Sequence, residues 1–241
     1  PETLKSLRSR GSFPDSFLAP DNPQSLSWRK DFVEPFLLRD LPQYGVRIPA
    51  TALRLLWMMC AHLHGKLLHV SELAQSLNRS RTAIANHLDI LEDSFVIRRL
   101  QPWFENIGKR QRKSPKIYLR DSGVLHALLG IPDDAALSLH PSVGASWEGF
   151  VLEQILAHLR PDQAFFWQTQ SGAELDLLAI THGKRIGFEM KLSESPRTTK
   201  SMRIAMQDLH LDHLYVLHPG ELRFALDNHI TALPAREIPS L

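Results

Sequence analysis

The sequence predicts an α/β protein in two parts. A helical and winged-helix region covers residues 1–130, and an α/β domain covers residues 140–241. Three observations carry this: a helix–turn–helix pattern followed by two short strands, a turn-rich break at residues 130–141, and a helix followed by a β-hairpin rich in buried-type residues. The 241 residues are 43% hydrophobic and 22% charged, which excludes wholesale disorder. No apolar run approaches the ~18 residues of a membrane span. A lone cysteine, Cys60, excludes an intrachain disulfide, and no signal peptide is visible. These features point to the cytoplasm, and Pro1 in place of an initiator Met suggests a fragment.

The net charge of +2 is unevenly spread. Residues 1–124 hold 19 Lys/Arg and 12 Asp/Glu, a net of +7; residues 125–241 hold 9 and 14, a net of −5. The split suggests two modules with different partners, the first an anion.

The entry is turn-rich around Pro14, Pro20 and Pro23. Ser27 is placed to cap a helix from Trp28 to Arg39, which Pro35 should kink or split. A second helix, from about Thr51 to His64, is apolar nearly all round and should be buried. Ser71 is placed to cap a short helix to Leu77, with Asn78-Arg79 as the turn. Ser80 then caps a helix from Arg81 to about Leu91, with Ile84, Leu88 and Leu91 on one face. Strands at Phe95–Leu100 and Lys116–Leu119 flank a loop holding Lys109, Arg110, Arg112 and Lys113. This order is that of a winged helix. Arg79, Arg81, Asn86 and the four loop cations are candidate nucleic-acid contacts, DNA above all. The acids Asp89, Glu92 and Asp93 weigh against that, and a packing unit is the competing reading.

Ser146 to Arg160 reads as a helix stopped by Pro161. Glu148 shares a face with Val151 and Leu152, an expensive place for an unpaired acid; taken alone, it reads better as the end of the stripe near the helix N-terminus, where an acid suits the dipole. A strand at Ala164–Gln168 leads to strands Glu174–Ile180 and Arg185–Leu192, joined about His182-Gly183. If that hairpin closes symmetrically, Asp176 faces Glu189 and Glu174 faces Lys191, all on one side of the sheet. Opposed carboxylates ~5 Å apart repel unless a cation sits between them. A divalent metal resolves the conflict; a structural ion-pair network is the alternative. A helix at Lys200–Leu209 and a strand at Leu214–Leu217 complete the domain. Histidines 62, 64, 69, 210 and 213 read as core or surface rather than ligands. Trp103 and Trp167 read as core.

Glu148, then Glu174-Leu175-Asp176, then Glu189-Met190-Lys191 resemble the PD-(D/E)XK nuclease-like superfamily. The resemblance implies a restriction-endonuclease-like fold in which Asp176 and Glu189 bind Mg²⁺ or Mn²⁺. It implies that Lys191 helps activate water and that Glu148 completes the catalytic site. The Pro that often precedes the Asp is absent.

Gly11-Ser12-Phe13-Pro14-Asp15, Trp28-Arg29-Lys30-Asp31-Phe32, Ser114-Pro115-Lys116-Ile117-Tyr118 and Asp121-Ser122-Gly123 carry a second likeness. They resemble the C-terminal region of a bacterial and archaeal AAA-type ATPase family, a domain of unknown function (DUF4143), along nearly the whole chain. No G-x-x-x-x-G-K-[ST] loop occurs, so ATP is not expected to bind here; the implied ATPase module would lie N-terminal to this chain. The combined expectation is a nucleic-acid-acting module with a Mg²⁺-dependent phosphodiesterase site. The alternative is a non-catalytic DNA- or protein-binding module that keeps the nuclease fold.

Overall fold

The computed structural model describes residues 2–104 and 114–241. Lys109, Arg110, Arg112 and Lys113, the expected wing cations, lie outside them. The chain forms two compact units. The described residues up to Arg99, with Ile117–Ser146, make the first. Those from Leu100 to Lys116, with Trp147–Leu241, make the second.

The first unit opens with α1 (Glu2–Arg10), α2 (Pro14–Phe17) and α3 (Asn22–Pro35). The helix α3 begins earlier than Ser27. Asp21 is its cap, its carboxylate accepting the Gln24 N–H at 2.8 Å, and Pro23 sits in the first turn where no backbone donor is lost. Pro35 does disturb the helix. It cannot donate a backbone hydrogen bond, and the chain widens into a π-helical turn over Phe36–Asp40 before the short α4 (Leu41–Gln43).

Next come α5 (Ala50–His62), α6 (Val70–Ser76) and α7 (Arg81–Asp93). Leu53, Leu56, Trp57 and Cys60 of α5 are almost wholly buried, but Leu55 is 50% exposed, so the helix buries one side and not the whole circumference that its apolar pattern suggested. The helix α6 starts at Val70, so Ser71 is not its cap; His69 holds that position. Asn78 takes φ 48° in the turn, a conformation Asn tolerates. Ser80 caps α7, its hydroxyl accepting the Ala83 N–H at 3.1 Å. Phe95 has φ 60°, which delays the strand β1 to Ile97–Leu100. Its partner is β2 (Lys116–Leu119), which also bonds to the chain after α5 through Ile117 N–H and Lys66 O at 3.0 Å. The helix α8 (Ser122–Leu128) joins the unit's core around Trp57, Ile84, Leu88, Leu91 and Ile117 through Val124 and Leu125, and α9 (Asp134–Leu139) follows with Leu137 buried.

Several residues of the family-like motifs prove to be ties in this unit. Asp121 accepts from the Ser12 N–H at 2.6 Å and from the Val124 N–H at 2.8 Å, so it caps α8 and pins the end of α1. Arg29 is 2% exposed and donates to the carbonyls of Ser25, Ser9 and Gly123. Gly123 permits the approach: a Cβ there would stand 2.1 Å from the Arg10 carbonyl oxygen. Gly123→Ala should therefore push α1 off α8 and cost about 2–3 kcal/mol. A urea melt of the variant checks this, and an unchanged midpoint would contradict it.

The second unit takes its long helix from α10 (Val143–Leu159) and builds a six-stranded mixed sheet. Its strands are β3 (Gln163–Gln168), β4 (Glu174–Thr181), β5 (Lys184–Met190), then, after α11 (Lys200–Asp208), β6 (His213–His218), β7 (Phe224–Asp227) and β8 (Ile230–Pro234). Their order is β3-β4-β5-β6-β8-β7. The pairs β3–β4, β4–β5 and β7–β8 are antiparallel; β5–β6 and β6–β8 are parallel. Leu177, Leu178, Ala179 and Phe188 are wholly buried, so the central strands are covered on both faces. Segment 101–103 runs along the outer side of β3: Trp103 N–H donates to Phe166 O at 2.7 Å and Phe166 N–H to Gln101 O at 3.0 Å. Trp103 and Trp167 are both core. Among the described residues no helix is long and apolar enough to cross a membrane.

Candidate functional site

The β4–β5 hairpin positions the site. His182 (φ 50°) and Gly183 (φ 76°) both take left-handed backbone, the signature of a tight two-residue turn. The register that follows pairs Thr181 with Lys184, Ala179 with Ile186 and Leu177 with Phe188. One step further along each strand stand Asp176 and Glu189. Odd–even alternation puts both side chains on the same side of the sheet, with Glu174 and Lys191 beside them. This is the symmetric register the sequence implied.

Both acids are buried, Asp176 at 6% and Glu189 at 2% exposure. Asp176 Oδ2 accepts the Met190 N–H at 2.9 Å across the strands. Glu189 Oε2 meets Lys191 Nζ at 2.7 Å, while its Oε1 is buried with no hydrogen-bond partner among the described residues. Burial, and next the charge of Asp176, push the Glu189 carboxyl far above the usual carboxylate range; Lys191 only moderates this. Burial works against the Lys191 ammonium, but Glu189 and then Asp176 and Glu174 outweigh it and raise its pKa.

Glu148 enters from α10, and a residue absent from the expected set joins it. Lys116 Nζ lies 3.2 Å from Glu148 Oε1 and 4.0 Å from Asp176 Oδ1. Its side chain is 11% exposed. Burial again opposes its charge, and Glu148, Asp176 and Glu174 together hold its pKa above the ordinary lysine value. Sequence reasoning placed Lys116 at the start of a strand and within the family-like motif at 114–118, and gave it no part in the site. The available signal was Ser114-Pro115-Lys116, a cation at the mouth of an otherwise apolar strand, Ile117-Tyr118-Leu119.

The structure thus gathers Glu148, Asp176, Glu189 and Lys191, with Lys116 and Glu174 added. Among the described residues no three His, Cys, Asp or Glu side chains form a ready-made metal cage. Mg²⁺ does not require one, since one or two carboxylates with water and a substrate phosphate suffice. The unpartnered, buried Glu189 Oε1 opposite Asp176 is the kind of hard oxygen donor such an ion takes.

In the first unit, Arg79, Arg81 and Asn86 are exposed at the start of α7 and along it. Two of the three acids on that helix, Asp89 and Glu92, are engaged by Arg99: its Nη2 is 2.7 Å from Asp89 Oδ1 and its Nε 2.6 Å from Glu92 Oε2. His64 is buried, its Nδ1 accepting the Leu119 N–H at 2.9 Å. His126, which the sequence did not single out, is buried between Ser9 O at 3.1 Å and Ser146 Oγ at 2.8 Å.

Comparison with known proteins places these geometries in a family. A model described as Domain of unknown function (DUF8612) matches residues 1–135, and one described as Domain of unknown function (DUF4143) matches residues 143–238. The DUF4143 likeness therefore covers the second part of the chain rather than nearly all of it, and neither description names an ATPase or a nuclease. Two curated relatives, the uncharacterized proteins Mb2031c of Mycobacterium bovis and Rv2008c of Mycobacterium tuberculosis, are each 51% identical over 229 residues. The alignment takes in 95% of this chain and 52% of each relative, so the chain spans about half their length. No solved structure matches. The chain belongs to the DUF8612 family through its first 135 residues and carries a DUF4143 domain behind them.

Proposed function

We propose that the second unit is a Mg²⁺- or Mn²⁺-dependent phosphodiesterase of the PD-(D/E)XK kind, acting on nucleic acid within a longer AAA-type ATPase. The observation that carries this reading is Glu189, a buried carboxylate with one unpartnered oxygen, set across the hairpin from a second buried carboxylate. A network built only for stability would satisfy that oxygen. Asp176 and Glu189 would hold the ion, and Glu148 a second ion or an ordered water. When bound, the ion polarises a phosphate oxygen and lowers the pKa of an attacking water. Lys191, at the partly exposed end of β5, orients that water or offsets charge on the phosphate.

The DNA-facing role falls to Arg79, Arg81 and Asn86, with the loop cations Lys109, Arg110, Arg112 and Lys113 as phosphate contacts. The Arg99 pairings support this by offsetting two of the three acids on the same helix, Asp89 and Glu92. The relatives' extra length leaves room for the ATPase module.

The test is incubation of purified protein with plasmid, linear and branched DNA at millimolar Mn²⁺, alongside thermal melting with and without the ion. Cleavage that needs the ion, and a melting temperature that rises with it, are expected. A rise without cleavage would favour the second reading, a binding module that keeps the fold, which the net charge of −5 over residues 125–241 favours. Neither effect would leave a structural ion-pair cluster.

A further inference from the structure

The acids expected to share a metal are held by two different lysines. Among the described residues Lys191 forms its ion pair with Glu189, and it is 39% exposed, so it can swing into solvent with little rearrangement. Lys116 stands between Glu148 and Asp176 and is 11% exposed. Its hydrocarbon stem is packed within the unit, and its Nζ lies 5.7 Å from the centre of the Phe166 ring. The ammonium therefore occupies a place with two carboxylates around it, the environment a divalent ion would seek.

Formal charges define what the cluster lacks. Once Glu189 has released its proton, as ion binding requires, Glu148, Asp176, Glu189 and Glu174 carry four negative charges, and Lys116 and Lys191 carry two positive ones. One divalent ion would balance the remainder. It would also face Lys116 across a few ångströms of poorly solvated protein, where like charges repel strongly.

We infer that Lys116 is a further residue of this site: a tethered cation that holds Glu148 and Asp176 together and competes with a divalent metal for them. The inference rests on the metal-site reading above, and it assigns to Lys116 the setting of metal affinity rather than any step of bond cleavage. Loading of the ion requires the ammonium to withdraw from Asp176 while keeping Glu148. A site with this device binds Mg²⁺ weakly by itself and better when a phosphate group adds ligands of its own.

The experiment compares Mn²⁺ binding by wild type, Lys116→Met and Lys116→Arg, using calorimetry and the Mn²⁺-induced change in melting temperature. Lys116→Met keeps the length of the stem and removes the charge. It should melt lower without metal, bind Mn²⁺ about tenfold more tightly or better, and recover more of its stability when the ion is added. Lys116→Arg keeps the charge and should stay within about twofold of wild type. If Lys116→Met folds only with Mn²⁺ present, the ion has replaced the lysine and the inference stands. Mn²⁺ binding by Lys116→Met alone would likewise support it. Wild type that binds Mn²⁺ while Lys116→Met binds it equally or less well would overturn the role of Lys116 and leave the metal site intact. No binding by wild type or either variant would overturn both.

Discussion

Asp176→Asn should abolish both the Mn²⁺-dependent rise in melting temperature and any DNA cleavage, while Lys191→Ala should lose cleavage and keep the ion. The two substitutions act on different members of one buried cluster. Asparagine preserves the shape of Asp176, and its amide oxygen can still accept the Met190 N–H seen at 2.9 Å. What it removes is a charged ligand opposite Glu189. Alanine at position 191 instead removes the cation that offsets Glu189 at 2.7 Å, which leaves the carboxylates freer to take a divalent ion. Loss of a group that positions water or stabilises developing charge costs on the order of 10²–10⁴ in rate. Affinity for the ion should also rise with pH, because the proton that burial and Asp176 favour on Glu189 must leave before that oxygen can bind. Calorimetric titration with Mn²⁺ and a single-turnover cleavage assay separate binding from chemistry. Equal loss of Mn²⁺ binding in both variants would show that Lys191 organises the carboxylates instead of acting on the reaction.

Acid should affect the two units in opposite directions. In the first, His64 is pushed down to about 3 by burial and by the neighbouring His126, and burial pushes His126 down to about 4. Both fold neutral, and in the unfolded chain both take up a proton near the ordinary value of 6.5. A depressed folded pKa makes the unfolded state the better proton acceptor, so stability is full above about pH 6.5 and falls as pH drops. At pH 5 each histidine removes about 2 kcal/mol, or ~4 kcal/mol together. Glu189 in the second unit is raised rather than depressed, so its proton favours the fold and acidification adds stability there. Hydrogen exchange read separately on α5 and α8 and on β4 and β5 between pH 7 and 5 distinguishes the two. Protection should fall in the helices and hold or rise in the strands. His126→Gln, which can still bond Ser9 and Ser146, should halve the loss; unchanged helix protection in wild type would contradict the account.

The central part of the fold was legible because its signals are local. Ser80 caps α7 as its position before an apolar repeat implies, and His182-Gly183 fixes a hairpin register from two residues. That register carries Asp176 and Glu189 to one side of the sheet without any long-range knowledge. Where caps compete, the reading slipped: Asp21 starts α3 six residues before Ser27, because an Asp-Asn-Pro start needs no apolar neighbour to announce it. The strands β7 and β8 were missed because Phe224–Asp227 is short and partly exposed. The better clue was Ile230-Thr231-Ala232-Leu233 after an Asp-Asn turn. Lys116 was illegible for a different reason. Its contacts with Glu148 and Asp176 span 32 and 60 positions of sequence, and no periodicity reports a pairing at that distance. His126 likewise reads as one polar residue in a short helix until its bond to Ser9, 117 positions away, is seen.

The strip of chain at 101–103 along β3 bears on how this protein can be divided. The second unit is discontinuous in sequence, and the DUF4143 match, from residue 143 onward, leaves that strip out. A fragment cut at that boundary keeps all six strands yet bares the Phe166 N–H and C=O on the outer side of β3. An uncovered, aromatic-rich strand border of this kind recruits other chains by ladder pairing, so the fragment would self-associate where the parent stays dispersed. The same cut discards Lys116. The useful boundary for isolating the sheet therefore lies before Leu100, and the apparent domain limit is a poor place for the scissors.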